Sequence, residues 1–169
     1  RLLKIYVFGY QLRINHENKS ITCSRPNMNI KLRKTLGYLG AIPFVALSII
    51  PIFSLFPESY VFRLLMSFYG GIILSFLGGM TWGWDLKDNS ALSLIFGILI
   101  SLIGFFIIAI SNMFIIYSLY ISLFSFVAFY FFEFRTSKFM LDLEYRALRR
   151  NLTFIVSFSY VLTLLTIDI

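Results

Sequence analysis

The chain has 169 residues, 59% hydrophobic and 14% charged, with a formal net charge of +7 and a mean hydropathy of +0.83. A soluble domain carries about 25% charged residues, so this shortfall, with apolar residues gathered in long blocks, excludes an ordinary soluble fold and points to an integral membrane protein. A lone Cys23 and a lone His16 exclude an internal disulfide and a Cys/His metal framework; the excess cations read as loop charge on one side of a membrane, not as a nucleic-acid surface.

Residues 1–35 hold eight Lys/Arg and one acid, Glu17. This basic arm fits a cytoplasmic tail, and equally a stretch that follows or belongs to a mitochondrial targeting segment. It is too polar for a core of its own and is expected to order against a partner. A membrane domain over 36–169 follows. A helix needs roughly 20 apolar residues to cross the bilayer core. The segment 36–56 meets that need, with Pro43 and Pro51 inside it, and 60–84 is the second span. From Asn89 to Phe132 no residue is charged. One helix of that length would run about 66 Å at 1.5 Å per residue, twice the bilayer. The run must therefore fold back, and Ser111-Asn112 marks the turn, giving spans at 90–110 and 113–132. A last span covers about 150–167 and starts within the basic stretch before it.

The expected fold is thus all-α: a bundle of five transmembrane helices. Five crossings put the arm, the 85–89 loop and the 133–151 loop on one side with fourteen of the fifteen Lys/Arg, leaving Arg63 on the other. Lys and Arg collect on the cytoplasmic or matrix side, which predicts the N-terminus inside and the C-terminus outside. The sequons at Asn18 and Asn151 then fall on the inner side and read as chance matches.

The second span repeats small residues every four positions: Ser67, Gly71, Ser75, Gly79 and Gly83, with Gly70 and Gly78 widening the stripe. Lipid tails are as apolar as leucine, so close backbone approach between helices replaces the hydrophobic effect as the packing force. Ser67, Gly71, Ser75, Gly78, Gly79 and Gly83 are the expected packing residues, with Ser93, Gly97, Ser101 and Gly104 of the third span as one proposed partner set. Trp82 and Trp84 are expected to anchor the inner interface. In "LDLEYRALRRN", Asp142 and Arg146 stand four apart, and an interfacial helix is expected to run into the final span. Arg146, Arg149 and Arg150 there would meet anionic lipid, cardiolipin being one candidate.

"LGYLGAIPF" (36–44), "YGGIILSFLGGMTWGW" (69–84) and "YRALRRNLT" (145–153) resemble the transmembrane protein 69 family, small multi-span proteins of bacteria and mitochondria. The motifs occur in the family's order and bracket most of the chain beyond the arm. The resemblance implies a mitochondrial setting and supplies no catalytic residues. One departure falls at Thr81, where the family often carries His or Arg, so a proton or anion role at that position does not transfer.

No span contains a His, a Cys or a pair of acids, so intramembrane hydrolysis and haem ligation lack their groups. The expected function is non-catalytic and needs no cofactor or metal: an accessory or assembly subunit of a mitochondrial inner-membrane complex, such as a respiratory-chain complex. Its partners would be lipids and other subunits, not nucleic acid. The alternative is a small ion or solute transporter, whose candidate charges Arg63, Asp85 and Glu133 all fall near the ends of spans.

Overall fold

Apolar runs of this length have one way to satisfy their amides and carbonyls inside lipid, which is to coil them into helices. A computed structural model describes residues 2–7, 10–15, 20–24, 30–53, 59–81 and 91–166. The chain divides into two compact units, residues 1–35 and 36–169. In the first, strands β1 (Leu2–Val7), β2 (Tyr10–Asn15) and β3 (Ser20–Ser24) form an antiparallel meander in the order β1-β2-β3. Leu2 pairs with Asn15 and Val7 with Tyr10, while Gln11 pairs with Ser24 and Asn15 with Ser20. Backbone ladders of this kind form between strands of mixed polarity without requiring a continuous apolar face.

The second unit is all-helical. Its elements are α1 (Ile30–Phe53, begun in the first unit), α2 (Ser59–Met80), α3 (Ala91–Ile110), α4 (Ile115–Thr136), a 3₁₀ turn (Lys138–Leu141) and α5 (Leu143–Leu165). The first four helices are long and apolar enough to cross a membrane. α5 is as long, but Glu144, Arg146, Arg149 and Arg150 crowd its first eight residues. The chain is a helical membrane protein.

Hydrogen bonds between distant helix ends define the up-and-down arrangement. Tyr60 Oη donates to Asn112 O at 3.1 Å, and Arg63 Nη2 donates to Thr166 O at 2.9 Å. The start of α2, the α3–α4 turn and the end of α5 therefore share one end of the bundle. At the other end the Phe96 ring of α3 stacks on Phe132 of α4, centroids 3.6 Å apart. α1 runs parallel to α5: Gly37 sits against Leu148 and Leu152, and Phe44 meets Phe126 and Tyr160 further along.

α2 is the packing centre because its small residues let three helices approach. Towards α3, Gly71 faces Gly104 and Gly78 faces Gly97; a Cβ on Gly71 would lie 2.6 Å from Gly104 O, and one on Gly104 would lie 2.5 Å from Gly71 O. Between these contacts Ser75 Oγ donates to Ser101 O and Ser101 Oγ donates to Ser75 O, both at 3.2 Å. Towards α4, Ser67 Oγ lies 2.8 Å from Ser118 Oγ. Ser118 gives its one hydroxyl proton to Ile115 O at 2.7 Å, so Ser67 is the donor of that pair. Towards α5, Tyr160 Oη reaches Met66 O at 3.3 Å, over Gly70, where a Cβ would collide with the phenol oxygen.

Gly79 departs from the expected stripe. It is exposed, and a Cβ there would meet nothing within 4 Å. A step of four residues turns about 400° on a 3.6-residue helix, so a strict four-residue repeat drifts around the axis. Ser67 faces α4, Gly71 and Ser75 face α3, and the seam then passes to Gly78 while Gly79 turns outward. Gly83, Trp82 and Trp84 lie outside the described residues.

Candidate functional site

The α4–α5 corner holds a charged cluster in an otherwise apolar bundle. Ser122, Phe126, Phe129 and Glu133 follow at three- or four-residue spacing, so the inward face of α4 carries its carboxylate to the interior at the helix end. Glu133 is 1% exposed. Its carbonyl accepts from Ser137 N at 2.9 Å, closing α4. Ser137 Oγ accepts from Phe139 N at 3.3 Å to start the 3₁₀ turn, and Asp142 Oδ1 accepts from Glu144 N at 3.0 Å to start α5. These two caps aim the first turns of α5 back at α4.

Tyr145 and Arg149, one turn apart, both reach Glu133. Tyr145 Oη donates to Glu133 Oε1 at 2.7 Å, and Arg149 Nε forms an ion-pair contact with Oε2 at 2.8 Å. The Arg149 side chain is 15% exposed, and its guanidinium carbon lies 5.6 Å from the centre of the Phe129 ring, a cation–π distance. Arg149 Nη2 is buried with no acceptor. Both carboxylate oxygens are thus engaged, the pair is neutral, and what it can do chemically is hold two helices and cancel a cation.

Arg149 was expected to face lipid with Arg146 and Arg150. The structure separates them: Arg149 turns inward to Glu133, Arg146 is half-buried, and Arg150 is exposed. Asp142 spends its carboxylate on the α5 cap. Thr81, buried at the end of α2, donates to Gly78 O at 2.8 Å and packs against Gly97. Among the described residues no group of three His, Cys, Asp or Glu side chains could hold a metal ion.

Sequence reasoning placed Glu133 at a span end but missed its partner. A signal existed: Glu133 is the acid that closes the uncharged 89–132 run, and a basic residue follows in the next helix. The two are sixteen positions apart, beyond any single-helix spacing rule.

No curated protein matches the chain, and no solved structure does. A family model does match, over residues 30–165, which is the stretch from the first residue of α1 to the last of α5. By that match the chain belongs to the family described as a protein of unknown function, DUF3429.

Proposed function

We propose that the protein is a non-catalytic membrane subunit, an accessory or assembly component of a larger complex of the mitochondrial inner membrane, such as a respiratory-chain complex. The observation that carries this reading is the interior. Many hydroxyls along the helices close on carbonyls of their own or a neighbouring helix, as in Ser122 to Ser118 O, Ser159 to Ile155 O and Thr163 to Ser159 O, although Ser157 Oγ is buried with no partner. They support packing and leave the large side chains, Phe76, Phe105, Phe124 and Phe154 among them, on the outside. Aromatic surfaces of that kind supply large contact areas to a partner. The resemblance of residues 36–44, 69–84 and 145–153 to the transmembrane protein 69 family supports the mitochondrial setting. Gentle detergent extraction followed by native electrophoresis tests the reading: co-migration with a large complex is expected, and migration at the size of the monomer alone refutes it.

A small transporter is the second reading, favoured by one observation, the buried charge of Glu133 at the end of a membrane span. Ion flux in liposomes containing the purified protein distinguishes the two.

A further inference from the structure

The outward face of α5 changes character along its length. Arg146, Arg150, Phe154, Phe158, Val161 and Leu165 follow at steps of three or four, so they share one side of the helix. The last five are exposed and Arg146 is half-buried. Arg149 points elsewhere, to Glu133, so the stripe begins with two cations and continues with apolar side chains alone. Phe154 and Phe158 lie nearly parallel, with an interplanar angle of 15° and centroids 6.4 Å apart. From Arg150 to Phe158 is about 12 Å along the axis at 1.5 Å per residue, the passage from headgroup depth into the acyl region.

Among the described residues neither guanidinium group has a carboxylate partner. Asp142 caps the helix, Glu133 is engaged by Arg149 and Tyr145, and Glu144 sits two positions before Arg146, on the opposite side of α5.

We propose that this face binds an acidic phospholipid, with its phosphate between Arg146 and Arg150 and an acyl chain over Phe154 and Phe158. The planar, permanently charged guanidinium matches a phosphate, and the phenylalanines take the chain that free phosphate lacks. The site is separate from the subunit reading and stands or falls independently of native migration.

The test uses the full chain purified in a neutral detergent and offered an equimolar mixture of phosphatidylglycerol and phosphatidylcholine, with retained lipid measured by mass spectrometry. Two surface cations predict a preference of roughly tenfold or more for phosphatidylglycerol. The preference should fall to near unity in R146Q/R150Q and survive in R146K/R150K, with Glu133 and Arg149 untouched throughout. Should the glutamine variant fail to fold, the wild-type preference must still collapse in about 0.5 M salt, where exposed charges are screened. Equal retention of the two lipids, a preference undiminished by the glutamine pair or by salt, or equal thermal stabilisation by inorganic phosphate alone would overturn the proposal.

Discussion

Replacing Glu133 by alanine should destabilise the bundle more than its position at a helix end suggests. The uncharged part of α5, Asn151 to Leu165, is 15 residues long, or about 22 Å at 1.5 Å per residue. The hydrocarbon core is about 30 Å thick. A crossing by α5 would fall short by about 8 Å, roughly five residues, and would draw Arg149 and its neighbours towards the apolar edge. There Arg149 Nε lies 2.8 Å from a carboxylate that is 1% exposed. Removing one partner of a buried pair costs about 3–5 kcal/mol in soluble proteins. Arg149 retains 15% exposure and a flexible stem, so its head can move outward and recover hydration; the expected loss is about 2–4 kcal/mol. The bond from Tyr145 is lost in the same variant and is part of that figure, not an addition to it. The measurement is equilibrium unfolding in mixed micelles as E133A, R149A and the double variant. Because the two side chains touch, the cycle should return a coupling of about 1–3 kcal/mol, with the double variant more stable than the singles imply. Additive losses, or an E133A variant within about 0.5 kcal/mol of wild type, would show that α5 needs no counter-charge from α4.

The other predictions concern the contacts that position that corner. Gly71→Ala drives a methyl group onto Gly104 O at 2.6 Å and should cost about 1–3 kcal/mol through overpacking, whereas Gly79→Ala has open space and should be neutral or up to about 1 kcal/mol stabilising; thermal unfolding of both variants provides the contrast. Ser101→Ala removes a donor but keeps the close approach, so its cost should be near 0.6 kcal/mol, about the average for interhelical hydrogen bonds in a membrane protein, and smaller than that of Gly71→Ala in the same assay. Arg63→Ala removes the charged donor 2.9 Å from the carbonyl of Thr166, the residue that caps α5, with a loss of about 1–2 kcal/mol and faster labelling of a cysteine placed at Thr166.

Much of the helical architecture can be read from charge and length. The uncharged run from Asn89 to Phe132 is too long for one crossing, and its polar pair at Ser111-Asn112 does fall in the turn between α3 and α4. The ends were less legible. α1 begins at Ile30, six residues before the apolar block, because Lys31, Arg33 and Lys34 do not break a helix that emerges from the apolar layer. α4 runs on to Thr136 because Glu133 is neutralised and does not end it. The residues expected to form an interfacial segment and a last span make up one helix, α5, started by the Asp142 cap. The α2–α3 seam could be anticipated from residue size, but not which glycine turns outward, since that depends on the angular drift of a four-residue repeat. The Glu133–Arg149 pair was hidden because it joins two helices through a capped turn, and no local spacing encodes such a contact.

The reciprocal Ser75–Ser101 bonds, flanked by paired glycines, relate α2 and α3 by a local two-fold. Sliding one helix past the other by a turn, about 5.4 Å, would part both serines from their carbonyls and separate Gly71 from Gly104 and Gly78 from Gly97. These two helices therefore behave as a single interlocked plank, and any rearrangement the protein undergoes has to be carried by α1 or by the α4–α5 hairpin swinging against it.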